Sequence, residues 1–185
     1  LRGAGGLLLA VLFVLTASSA PAPAAGPSQS GPSQSDVQSI YLYNFAKFVR
    51  WPAGRPGPTL NICIAGQQVY ADTLTKVVAG EQVDGHALAV RAIERTEDAA
   101  GCDILFIDIS ARDRLDGLVA ATAGKPILTV SDIPGFLDRG GMIQFVLKDS
   151  RVRFSVDLRP VARSGISLSS ELLKVAVTVN GGGAP

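Results

Sequence analysis

Residues 104–109 read Ile-Leu-Phe-Ile-Asp-Ile. The run is short, apolar and rich in β-branched side chains, which suggests a strand buried on both faces. Its neighbours supply the cover such a strand needs. Upstream, Leu60–Ala65 (LNICIA) is an apolar strand ending at Gly66, Val69–Val78 fits a helix stopped by Gly80, and Leu88–Ile93 is another strand. Downstream, Arg112–Ala123 is helical and closed by Gly124, and Ile127–Val130 (ILTV) is a further buried strand. Strand and helix in alternation imply right-handed crossovers and a largely parallel sheet covered by helices.

The pattern changes toward the C-terminus. Met142–Leu147 reads as a strand and Lys148-Asp149-Ser150 as a turn. Val152, Phe154, Val156 and Leu158 then alternate with Arg153, Ser155, Asp157 and Arg159, giving one apolar and one wet face. This predicts an antiparallel hairpin at a sheet edge. A last helix is expected near Ser169–Val177, with a frayed end at Asn180–Gly183. The expected class is therefore α/β: a mixed, largely parallel sheet flanked by helices, with a C-terminal antiparallel hairpin.

Before the first strand, Val37, Ile40, Tyr41, Phe45, Phe48 and Val49 recur at helical spacing, while Gln38, Asn44, Lys47 and Arg50 fall largely off that stripe. Ser35 and Gln38 have capping-box spacing, and Pro52 ends the helix after Trp51. Residues 25–35 contain GPSQS twice in tandem and read as a disordered tether. Residues 7–15 (LLLAVLFVL) follow Arg2 and precede small residues and prolines, the order of a cleaved secretory signal over residues 1–24. That apolar core is too short for a membrane-spanning helix, which needs about 20 residues. Ala22-Pro23-Ala24 offers the cleavage site, and export to the periplasm is the expectation. The folded domain is expected over residues 36–180.

Composition narrows the chemistry. The 185 residues are 47% hydrophobic and 18% charged, with a net charge of +1. No run of like charges predicts a nucleic-acid groove or a basic membrane patch. With one histidine and two cysteines, a three- or four-ligand zinc site is not expected. His86 follows Asp84-Gly85 and reads as an exposed loop residue. In an oxidising compartment Cys63 and Cys102 are expected to pair. Closing a loop of about 40 residues could stabilise the fold by about 4 kcal/mol on a chain-entropy argument.

Open sheets bind ligands beyond the carboxyl ends of their strands. Three segments fall there: Gly66-Gln67-Gln68, Asp108-Ile109-Ser110 and Ser131-Asp132-Ile133. Asp108 and Ser131 are the candidate ligand-binding residues. The glycine spacing of a phosphate loop is absent, and no cofactor is expected. Asp108 at a strand end and Thr129 in the next strand resemble a response-regulator receiver, but the first strand ends in Ala65-Gly66, without the acidic pair that holds Mg²⁺. Ser131-Asp132 lacks a nucleophile-elbow setting and a second histidine. Asp103 and Asp108 are the least implausible catalytic carboxylates, and the expectation is that the chain is not an enzyme. Ile133-Pro134-Gly135-Phe136-Leu137 is an apolar loop, so Ile133, Phe136 and Leu137 are candidates for docking a partner, the alternative being that Phe136 folds back over the sheet.

Several segments resemble the YfiR-like family. They are YLYNFAKFVRWP at residues 41–52, LNICIAG at 60–66, GCDILFI at 101–107, ILTVSD at 127–132, GGMI at 140–143, Val152-Arg153-Phe154 and LSSELLKVA at 168–176. The resemblance spans about Ile40 to Ala176, and its strength lies in the order and spacing of motifs that are weak singly. It implies a periplasmic α/β protein that binds the periplasmic sensory region of an inner-membrane diguanylate cyclase and represses it, lowering cyclic di-GMP. It also implies capture by an outer-membrane lipoprotein, a homodimer, and a disulfide between Cys63 and Cys102. A second cysteine pair found in the best-known member would fall within Ile133–Gln144, where this sequence has no cysteine. A periplasmic small-ligand sensor is the alternative reading.

Overall fold

A computed structural model describes residues 31–182. The leader expected over residues 1–24 and residues 25–30 of the tether lie outside that range. Helix α1 (Gln34–Phe48) is capped two residues before the expected Ser35. Ser33 is the cap: its hydroxyl accepts from the Asp36 N–H, while the Asp36 carboxylate accepts from the Ser33 N–H. The chain leaves the helix at Val49, and β1 (Val49–Arg50) pairs with a segment far downstream.

The central strands follow the apolar runs. β2 is Thr59–Ala65, α2 is Gln68–Val77, β3 is Gln82–Val83 and β4 is His86–Ala92. His86 thus starts a strand rather than sitting in an exposed loop; it is half-buried and its Nδ1 lies 2.7 Å from the Gly57 carbonyl oxygen. After a 3₁₀ turn (Thr96–Gly101), β5 spans Ile104–Ile107. The strand stops before Asp108 because that side chain caps the next turn, accepting from the Ser110 N–H. A 3₁₀ segment (Ile109–Arg114) leads into α3 (Leu115–Thr122), and β6 is Leu128–Ser131.

The C-terminal part departs from expectation in two places. β7 (Ile143–Lys148) and β8 (Arg151–Asp157) form the expected antiparallel hairpin, with Asp149 and Ser150 both at positive φ in the turn. The alternating pattern then ends at Asp157, and α4 (Leu158–Ser164) follows. Asp157 caps it, accepting from the Arg159 N–H at 2.9 Å, and the Arg159 guanidinium forks onto the same carboxylate, holding its pKa below the usual range. Pro160 is tolerated because first-turn N–H groups have no intrahelical partner. β9 (Ser167–Leu168) pairs with β1, and α5 (Ser170–Lys174) is shorter than the helix expected to Val177. The chain next runs along β8: Val177 donates to Phe154, the Thr178 carbonyl accepts from Val156, and β10 (Val179–Asn180) pairs where fraying was expected.

The eight-stranded sheet runs β10-β8-β7-β6-β5-β2-β4-β3. β4, β2, β5, β6 and β7 are parallel neighbours; β3 and β8 are antiparallel to theirs. Alternation along β5 divides the core. Ile104 and Phe106 enter one cluster with Leu42 and Phe45 of α1 and Leu74 of α2; Leu105 and Ile107 enter the other with Leu115 and Leu118 of α3. In the first cluster Phe45 stacks on Phe145 and meets Phe154 edge-on at 5.1 Å, which seats α1 on the sheet.

Cys63 and Cys102 are bonded, with Cα atoms 5.7 Å apart, and join β2 to the entry of β5. Arg55 reaches the same end, donating to the Cys102 carbonyl at 2.8 Å and pairing with buried Asp103 at 2.8 Å. Because the bridge closes a loop worth about 4 kcal/mol in chain entropy, the Cys63→Ser/Cys102→Ser double variant should melt on the order of 10 °C lower than the wild type. Calorimetric unfolding of the two proteins checks this, and equal melting temperatures would show that the bridge does not support the fold.

Candidate functional site

The sheet changes winding direction between β2 and β5. The chain leaves β2 through α2 over one face, and leaves β5 through the 3₁₀ segment and α3 over the other. Such a switch point opens a crevice beyond the strand ends. Here the protein fills it with its own carboxylate. Gly66, at φ +140°, packs directly on Asp108: a Cβ there would lie 2.4 Å from the Asp108 Cβ. Asp108 Oδ2 accepts from the N–H groups of Gln67 (3.2 Å) and Ser110 (3.1 Å) and from the Ser110 hydroxyl.

The two candidate ligand-binding residues are therefore interior. Asp108 is 1% exposed and Ser131 wholly buried. Ser131 is also satisfied, its hydroxyl donating to the Ile107 carbonyl at 2.6 Å and accepting from the Ile133 N–H at 3.0 Å. Asp103 and Asp108 flank opposite ends of β5, roughly 16 Å apart by strand rise, so they do not form a catalytic pair. The Asp108 charge instead acts on Asp132, which follows the neighbouring strand β6.

The apolar loop also turns inward. Ile133 is 3% exposed and Phe136 wholly buried, both in the α3-side cluster, with half-buried Leu137 packed against them. Gly141 makes room, since a Cβ there would meet the Phe136 ring at 2.2 Å. Ile133 and Phe136 thus present no side chain to a partner; they cap the sheet.

Open space lies one strand further along. A cleft of about 300 Å³ runs between the start of α1 and the β7–β8 hairpin, lined by Gln38, Asp132, Gln144, Pro134, Phe145 and Val152 among others. Burial first, and then the like charge of Asp108, hold the Asp132 carboxyl above the usual carboxylate range, against stabilising hydrogen bonds from the Ile109 backbone and the Gln38 amide. The Tyr70 phenol is pushed up as well, by burial and then by Asp132 and Asp108. Gln38 is 1% exposed although it falls off the apolar stripe of α1. Its burial was not legible in the helical periodicity, because the first turns of α1 lie across the sheet end. Among the described residues, no group of three His, Cys, Asp or Glu side chains is placed to hold a metal ion, and no helix is long and apolar enough to cross a membrane.

Fold and cleft together define an open-sheet α/β domain with an acidic hollow beyond its strand ends. The chain belongs to the YfiR/HmsC-like family, whose model matches residues 35–177. Membership of that family supports, in general terms, a periplasmic regulator of cyclic di-GMP signalling. Two solved structures share the fold. One is a conserved domain protein from Vibrio cholerae O1 biovar El Tor, 12% identical, with a TM-score of 0.54 over 80% of this chain and 60% of that one. The other is the ABC domain from Streptococcus pneumoniae in complex with L-Trp, 11% identical, with a TM-score of 0.51 over 78% of this chain and 60% of that one. The chain thus spans about 60% of the length of each.

Two outcomes test this geometry. Gly66→Ala should destabilise the fold by about 2 kcal/mol or more, because the new methyl group meets Asp108 and the residue is held at positive φ; unchanged denaturant unfolding would refute the packing. Asp132 keeps its proton to higher pH when folded than when unfolded. Stability should therefore fall as pH rises from about 4 to the raised folded value, since the native state binds more protons in that window. Asp132→Asn removes this loss, so it should melt higher than the wild type above that window and show a flatter stability profile. A lower melting temperature at neutral pH contradicts the assignment.

Proposed function

We propose that the chain is a periplasmic repressor that binds the periplasmic sensory region of an inner-membrane diguanylate cyclase and lowers its cyclic di-GMP output. The family match over residues 35–177 carries this reading. Its physical basis is a population shift. A soluble partner that prefers the inactive conformation of a two-state membrane enzyme draws the enzyme toward that state in proportion to its differential affinity. A scaffold for this work needs rigidity and an exposed apolar face. The disulfide and the doubly covered sheet supply rigidity. With Ile133 and Phe136 interior, the apolar face is better sought beside the β7–β8 hairpin. There Leu147 is 66% exposed, and Val175 and Val177, 58% and 40% exposed, line a neighbouring groove with Arg151 and Arg153. Export through the 1–24 leader, dimerisation and release by an outer-membrane lipoprotein belong to the same proposal.

A second reading is a small-ligand sensor at the strand ends. It is favoured by the cleft beside Asp132 and by buried oxygens there that have no hydrogen-bond partner.

The repressor reading is tested by immobilising the processed chain and capturing partners from solubilised inner membranes of its host. A diguanylate cyclase should be retained, and Leu147→Asp with Val175→Asp should reduce retention at least tenfold without lowering the melting temperature. Cyclic di-GMP should rise in cells lacking the chain. Capture of no cyclase, together with unchanged cyclic di-GMP, rejects it.

A further inference from the structure

Three buried side-chain oxygens at the carboxyl end of the sheet have no hydrogen-bond partner in the protein: Gln38 Oε1, Asp108 Oδ1 and Asp132 Oδ1. Burying such atoms is costly, and most buried polar groups in folded proteins are paired. All three are acceptors, so what they lack is donors. Gln38 and Asp132 line the 300 Å³ cleft, and Gln38 is 1% exposed. Asp108 stands behind Asp132 and adds to the negative field. No Lys, Arg or His lines this cleft; Arg151 and Arg153 line the adjoining groove, which shares Leu147 and Val152 with it. The rest of the lining is mixed: Gln34 and Gln144 bring neutral amides, and Pro134, Phe145 and Val152 bring apolar surface.

We propose that this cleft binds a small organic monocation, an ammonium or guanidinium head on a short apolar body, whose N–H groups donate to Gln38 Oε1 and the Asp132 carboxylate. The body lies against Pro134, Phe145 and Val152. The donor set argues against the other classes of ligand. A hard divalent ion takes six or more oxygen ligands, and the described residues bring no third His, Cys, Asp or Glu to the two aspartates. An anion meets the Asp132 carboxylate, with the charge of buried Asp108 behind it. A free amino acid brings a carboxylate for which the cleft lining has no cation. The inference rests on the sensor reading and is independent of which protein the chain represses.

The test is calorimetric titration of the processed full chain with 2-phenylethylamine, 2-phenylethanol and L-phenylalanine, which share one body and differ in head group. The amine should bind saturably at one site, and the alcohol and the amino acid at least tenfold more weakly. Asp132→Asn removes a buried charge, so it should fold at least as well as the wild type and bind the amine at least tenfold more weakly. Gln38→Met should weaken binding several-fold. Asp116→Asn, on the α3 side, should leave it unchanged. Absence of saturable binding by the amine and by benzylguanidine overturns the proposal. So does undiminished binding by folded Asp132→Asn, and so does L-phenylalanine binding as tightly as the amine. Each of these failures leaves capture of a cyclase unaffected, and failure of that capture leaves the titration standing.

Discussion

The four residues of β5, Ile104–Ile107, have no solvent exposure at all. A strand that meets water on neither face imposes its cover on the chain around it. Apolar side chains alternate to two sides, so each side needs its own helical layer. α1 and α2 meet Ile104 and Phe106, while α3 meets Leu105 and Ile107. Parallel neighbours on both flanks of β5 then place the connecting loops at one end, where Gly66, Asp108 and Asp132 come together.

The two ends of the sheet are built differently. At the amino end, covalent and ionic ties converge: the disulfide, and Arg55 bridging Asp103 and the Cys102 carbonyl. At the carboxyl end, negative charge is concentrated and incompletely satisfied. Asp108 is spent on closing the crevice over Gly66, which leaves Asp132 exposed to its repulsion and half-open to the neighbouring cleft. An end that is pinned and an end that carries electrostatic tension suit a scaffold whose shape is fixed while one rim responds to what reaches it.

The strands were legible in sequence because apolar runs such as LNICI, ILFI and ILTV have one good solution, burial between layers. Their observed limits differ from the expected ones by a residue or two. Local competition decided what was missed. The capping-box spacing was read from Ser35, whereas Ser33, three residues before Asp36, closes the box with that carboxylate. The alternation through Leu158 and Arg159 masked α4, whose start depends on the Asp157 side chain rather than on periodicity. The direction taken by Ile133–Leu137 depends on the hollow left by Gly141, a contact across the fold that no local pattern records. The same holds for the cleft: Asp132 was visible at a strand end, whereas Gln38 joined it only through the way α1 lies on the sheet.

The two margins of the sheet are finished unequally. Along β8, the stretch from Val177 to Asn180 shields the flank over Phe154–Asp157. Along β4, β3 covers only His86 and Ala87, and strand pairing on that outer side stops there. Backbone donors and acceptors on an uncovered flank invite another chain to zip onto it, and a charged side chain discourages this. Arg91 is exposed on that stretch of β4. Growth of the sheet by adding a neighbour's strand is thereby hindered at one margin by the chain's own tail, over Phe154–Asp157, and at the other by a cation.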